Sequence, residues 1–215
     1  MPPSESPQKP IPYTVYVSEI TAKDVHVFIS EKIGAPEDYT NLIHQIQTSS
    51  SNDTIYIHLN TPGGRIDTGV QIINAMKQSS ARIITVLDGT AASMGALIFI
   101  AAEEFIINDH CRLMFHNYSG GVAGKGHEII SAVESTTEWA GELYRDLCIP
   151  FLTEEECEGI IQGKDMWCNS EEVRIRANNM IEIQSAERDA EETGKAKPKA
   201  KAKAKPKAKT KAKKP

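Results

Sequence analysis

From Val25 onward, short runs of alternating β-branched residues are separated by segments of helical periodicity, and this alternation restricts the chain to an α/β architecture with largely parallel strands. "VHVFIS" from Val25 and "TIYIHL" from Thr54 read as strands. Between them, "APEDYTNLIHQIQ" sets Tyr39, Leu42, Ile43 and Ile46 at helical spacing. "DTGVQIINAMKQ" opens at Asp67 as an N-cap, places Val70, Ile73 and Met76 on one face and leads into the strand "RIITVL" from Arg82. "FIIN" and "RLMFH" follow as strands, and the spacing predicts a long helix from Gly126 to Leu147. "TEEECEGII" carries a capping-box pattern in Thr153 and Glu156.

A chain of 215 residues with 40% hydrophobic side chains buries one sizeable core. No early basic stretch leads into an apolar run, and no apolar segment approaches the roughly 18 to 20 residues of a membrane helix. The sequence is therefore expected to be soluble and cytoplasmic, with no membrane partner. The four cysteines, Cys111, Cys148, Cys157 and Cys168, lack metal-ligand spacings and are read as reduced thiols. Charge divides the chain unevenly. Residues 195–215 hold eleven lysines and no acid; without them, residues 1–194 carry thirteen basic and twenty-nine acidic side chains, a balance of −16. The lysine, alanine and proline tail offers no apolar face, so residues 185–215 are expected to form a disordered linker and basic tail, able to hold nucleic acid or an acidic protein. Residues 1–12 read as a second disordered end, which leaves 13–184 as the folded domain.

Two loops gather at one edge of such a sheet. "DGTAASMGALIFI" puts Ser93 between a strand and the helix that follows, where helix N–H groups are unpaired and small neighbours allow close approach. Serine there is equally an ordinary N-cap. "LNTPGGRID" places Gly63 and Gly64 directly after the preceding parallel strand, so both loops face one crevice at the carboxyl ends of the strands. A glycine pair aims a backbone N–H into that crevice, and the Met94 N–H supplies a second, as an oxyanion hole requires. Candidate bases are His26, His44, His58, His110, His116 and His127, of which His116 ends a strand. Asp88 and Asp109 lie near strand ends and compete with Asp165 as the orienting acid. Gly124-Lys125 is not a phosphate loop, because Ser119 and Gly126 stand where that pattern needs glycine and a hydroxyl residue.

"NTPGG", "GTAASMGA", "RLMFHNYSGG" and "KDMWCNSEE", in this order, resemble the Clp protease proteolytic subunit within the Clp/crotonase superfamily, over roughly residues 25–173. The resemblance implies a repeated β-α-β spiral fold with a long handle helix. It also implies a serine endopeptidase with Ser93 as nucleophile, His116 as general base, Asp165 as the orienting group and the N–H groups of Gly64 and Met94 as the oxyanion hole. It further implies a homo-oligomeric ring, unfolded protein or peptide substrates, a feeding AAA+ unfoldase, and no metal or cofactor. In the family, residues after His116 act as an edge strand for the substrate, and the handle, roughly His127 to Leu147, brings two rings together through residues such as Ile129, Ile130, Val133, Trp139 and Leu143. An ordinary amphipathic surface helix is the alternative there. The segment before Val25, the "RIRANNMIEIQ" ending and the lysine tail depart from the family pattern. Two other readings stay open: a phage-type head maturation protease acting on scaffold or capsid proteins, and an inactive scaffold whose basic tail does the binding.

Overall fold

The computed structural model describes residues 21–192; the expected disordered N-terminus at 1–12 and the lysine tail lie outside the described residues. The elements run in the order β1 (Asp24–Ile29), a 3-10 turn (Pro36–Tyr39), α1 (Thr40–Thr48), β2 (Thr54–Thr61), α2 (Ile66–Gln78), β3 (Arg82–Ala92), α3 (Met94–Ile100), β4 (Glu104–Ile107), β5 (Arg112–Phe115), α4 (Gly126–Cys148), α5 (Glu154–Ile161), β6 (Met166–Asn169) and α6 (Ser170–Glu192). This is the mixed α/β fold with successive parallel crossovers that the strand and helix alternation implies.

One six-stranded sheet organises the chain in the order β1-β2-β3-β5-β6, with β4 pairing the first half of β3. All pairs are parallel except β5 with β6. Ile55, Ile57 and Leu59 of β2 alternate into the core, while Tyr56 and His58 point to the other, more open face. Against the inner face pack Ile72, Ile73 and Met76 of α2 and the wholly buried run Met94–Ile100 of α3.

Two local details differ from the sequence expectation, at the start of α2 and at the end of α6. Arg65, not Asp67, occupies the N-cap of α2, because Asp67 already lies within the first turn. There its carboxylate accepts from the Arg65 guanidinium at 3.0 and 2.5 Å. The residues after His116 form no strand with any other described segment. They run past Gly120 and Gly121 to α4 without a ladder partner, and a strand needs one. The capping box at α5 forms as the sequence indicates: the Glu156 N–H donates to Thr153 Oγ1 at 3.2 Å, and the Thr153 N–H donates to Glu156 Oε2 at 2.9 Å. Helix α6 continues past residue 184, where a linker was expected, and Arg188 pairs with Glu103 at 3.0 Å.

Candidate active site

Ser93 stands between β3 and α3 with φ 54° and ψ −124°, a conformation that few non-glycine residues adopt. Its backbone holds it there. The Ser93 N–H donates to the Met114 carbonyl on β5 at 2.8 Å, and its own carbonyl accepts from Ala96 and Leu97 at 3.0 and 3.3 Å. Ser93 thus occupies the N-cap position of α3, but its side chain makes no cap hydrogen bond. Of the two roles open in the sequence, the hydroxyl does not perform the capping one.

The glycine loop lies directly on this elbow. A Cβ at Gly63 would sit 2.4 Å from the Ala92 carbonyl oxygen and 2.7 Å from Ser93 Cβ, so a side chain is excluded there. Gly64 bridges Ile33, and a Cβ on it would come within 2.1 Å of the Ile33 carbonyl oxygen. The Gly63 N–H is engaged by Thr61 Oγ1 at 3.1 Å. Among the described residues, the N–H groups of Gly64 and Met94 have no hydrogen-bond partner. Gly64 lines the same cleft as Ser93, and Met94 follows it and begins α3, where an N–H lacks an acceptor within the helix.

His116 follows β5 and lines the same cleft as Ser93 and Gly64. Its backbone carbonyl accepts a hydrogen bond from the Tyr144 hydroxyl of α4. Burial raises the Tyr144 phenol well above its ordinary value, so it remains a donor at physiological pH. Asp165 immediately precedes β6. The β5–β6 ladder closes at Phe115 opposite Met166, which makes His116 and Asp165 the next facing positions. The ladder stops short of them, Asp165 is exposed, and it does not line the cleft. No side-chain hydrogen bond joins Ser93 to His116 or His116 to Asp165 among the described residues. Ser93, Gly64 and His116 therefore line one cleft, Met94 lines an adjoining recess, and Asp165 is adjacent to His116 in register without a hydrogen bond to it.

The competing residues are engaged elsewhere. Asp88 bonds His58 and Asn108, and Asp109 pairs with Arg174 at 2.6 Å. Of the histidines, His116 alone among the described residues lines this cleft. No group of three or more His, Cys, Asp or Glu side chains is arranged to hold a metal ion among the described residues, and no helix there is long and apolar enough to cross a membrane.

The cleft encloses about 1050 Å³ between the glycine loop, Tyr118 to Val122 and the flank of α4 at Val133 and Trp139. A small recess of about 40 Å³ opens beside Ser93, walled by Leu97, Leu143 and Tyr144. At the rim, Arg65 holds the Asp67 carboxyl down at about 2. Tyr144 carries no local sequence signal, because its partner comes from another segment. The arrangement suits addition of a hydroxyl to a carbonyl whose oxygen is received by two N–H groups.

The sequence pattern that defines the Clp protease family matches residues 13–174. The chain is 30% identical over 146 residues to the ATP-dependent Clp protease proteolytic subunit 2 of Pseudomonas aeruginosa, covering 67% of this chain and 71% of that protein. It is 32% identical over 107 residues to the ATP-dependent Clp protease proteolytic subunit of Borreliella afzelii, covering 48% of this chain and 54% of the relative. The match to the corresponding subunit of Chlorella vulgaris is 32% over 88 residues, with coverage of 40% and 44%. Apart from the Pseudomonas protein, the chain thus spans about half the length of these relatives.

Proposed function

Because the chain belongs to the Clp protease family, we propose that it is a serine endopeptidase acting on extended segments of protein substrates. The observation that carries this reading is Ser93 itself: a strained elbow residue whose hydroxyl makes no cap hydrogen bond, in a cleft that it shares with Gly64 and His116. Strain of this kind costs about 1–3 kcal/mol and persists only where the surroundings impose it.

In the proposed cycle, Ser93 Oγ attacks the scissile carbonyl carbon while His116 takes its proton. The resulting oxyanion is received by the Gly64 and Met94 N–H groups, each such donor contributing about 2.7–4 kcal/mol to the transition state. Collapse breaks the C–N bond, His116 returns the proton to the departing amine, and an ester remains on Ser93. Water, deprotonated by His116, hydrolyses the ester and restores the serine. Asp165 fixes the histidine tautomer once the segments beyond the β5–β6 ladder close together, consistent with catalytic hydrogen bonds that tighten only in the working complex.

The unpaired run after His116 offers backbone groups to an extended peptide. Ile130, Val133 and Trp139 leave apolar surface exposed along α4, which supports assembly of several copies into a ring. A partner ATPase that supplies unfolded chains fits the same picture.

The test is covalent labelling with a fluorophosphonate probe, with the modified peptide read by mass spectrometry. Labelling is expected at Ser93, lost in Ser93→Ala, reduced at least a hundredfold in His116→Ala and weakened in Asp165→Asn. A folded, assembled sample that resists the probe with a partner ATPase present would overturn the reading.

A further inference from the structure

On the open face of the sheet, four polar side chains line up from three neighbouring strands, β1, β2 and β3, and from Asn108, which follows β4. His26 Nδ1 lies 3.0 Å from His58 Nε2, His58 Nδ1 lies 2.8 Å from Asp88 Oδ2, and Asn108 Nδ2 donates to Asp88 Oδ1 at 2.8 Å. The His26 ring stacks on Tyr56 with centroids 4.6 Å apart, and His58 stacks on Phe28 at 4.3 Å. None of these groups lines the Ser93 cleft.

We propose that His26 Nδ1 and His58 Nε2 are two cis ligands of a site for a late first-row divalent ion of tetragonal preference, Cu²⁺ or Ni²⁺, with water in the remaining positions. The first argument is separation. With metal–nitrogen bonds of about 2.0–2.1 Å, donors 3.0 Å apart subtend about 90–95°, the angle of cis positions in a tetragonal site; a tetrahedral ion would need about 3.3–3.4 Å. The second is the shell behind the ligands. Asp88 accepts from His58 Nδ1, which leaves the pair at Nε2 facing outward, and Asn108 holds the other carboxylate oxygen. A carboxylate behind a histidine is the usual means of orienting a metal-binding imidazole and raising its basicity.

The third argument is rigidity. The parallel register sets His26 beside Tyr56 and Phe28 beside His58, so both imidazoles project from the same face of adjacent strands, each against an aromatic ring. In the metal-free pair, His26 Nδ1–H donates to His58 Nε2. Moving that proton to the exposed His26 Nε2 frees the second lone pair without net loss of a proton. With two protein donors, the site is an exchangeable one that clips β1 to β2.

The experiment is titration of the full chain with Cu²⁺ alone, followed by calorimetry and by pulsed electron paramagnetic resonance. One equivalent is expected to bind, with two equatorial imidazoles in the spectrum. His26→Gln and His58→Gln should each weaken binding by a hundredfold or more. Asp88→Asn should cost 10- to 100-fold while the two-imidazole signature persists. Each variant should keep the wild-type circular dichroism spectrum and melting temperature without metal, which separates loss of ligands from loss of fold. Failure of the wild type to take up one equivalent would overturn the site. So would unchanged binding in the His26→Gln/His58→Gln double variant, which would leave a plain imidazole–imidazole hydrogen bond.

Discussion

At Ser93, conformation and chemistry pull in opposite directions. Glycine adopts a positive φ without the penalty that a Cβ incurs, so Ser93→Gly removes strain and the proposed nucleophile together. After the entropy of the added glycine is set against it, the variant is expected to gain about 1 kcal/mol, or about 2–4 °C in Tm, while peptidase activity disappears. Thermal melting beside a labelling assay reads both; a variant no more stable than wild type would mean that the elbow is unstrained. The same residue shows what the sequence holds. Small neighbours and the following apolar run locate the junction, and the glycine pair after β2 locates the opposite wall, because these features are local. The position of Asp165 relative to His116 depends on a four-residue antiparallel ladder. Tyr144 reaches His116 from 28 residues away, and nothing around either residue announces the other.

Among the elements, α5 and α6 are joined through Arg176, whose guanidinium donates to Glu156 at 2.8 and 2.9 Å and to Glu172 at 2.9 and 3.1 Å. This arginine holds the Glu156 carboxyl at about 2, against an ordinary 4.5. A depressed carboxyl stabilises the fold fully above its unfolded value, and that stabilisation is lost as the pH falls from about 4.5 toward about 2. Discounted for partial exposure, the contribution is about 2 kcal/mol. Urea unfolding should therefore find Glu156→Gln weaker than wild type by about 1–2 kcal/mol at pH 7, with the gap closed near pH 2. A gap that persists in acid would assign the loss to packing instead. The strands and helices through α5 are legible because their periods are clean. Helix α6 is not: its buried stripe is narrow, at Val173, Ala177 and Met180, while exposed Ile175, Ile181 and Ile183 blur the pattern. Strand β6 is four residues long and takes its shape from β5.

Across the whole molecule, the four cysteines are free and buried: Cys111 directly before β5, Cys168 in β6, and Cys148 and Cys157 at the α4–α5 corner. Burial pushes the Cys168 thiol up to about 12 and raises Cys111, and the adjoining Cys157 thiol together with burial holds Cys148 far above its usual range. Thiolates are the reactive form. The hydrogen bond with Cys148 lowers the Cys157 thiol, but Cys157 is wholly buried, so a disulfide exchange reagent at pH 8 should find no rapidly reacting thiol in the folded chain and four after denaturation; one fast native thiol would contradict this packing. The sheet also joins the proposed nucleophile and the proposed base in one ladder, since Ala92 pairs with Met114 and Ser93 bonds to it, two residues before His116. The separation of the two groups is thus a property of strand register, and a slip of one residue would turn His116 to the opposite face. It follows that the connection between β4 and β5, residues 108–111, accepts changes of identity more readily than changes of length. A single insertion or deletion there would do to catalysis what few substitutions in the same loop could.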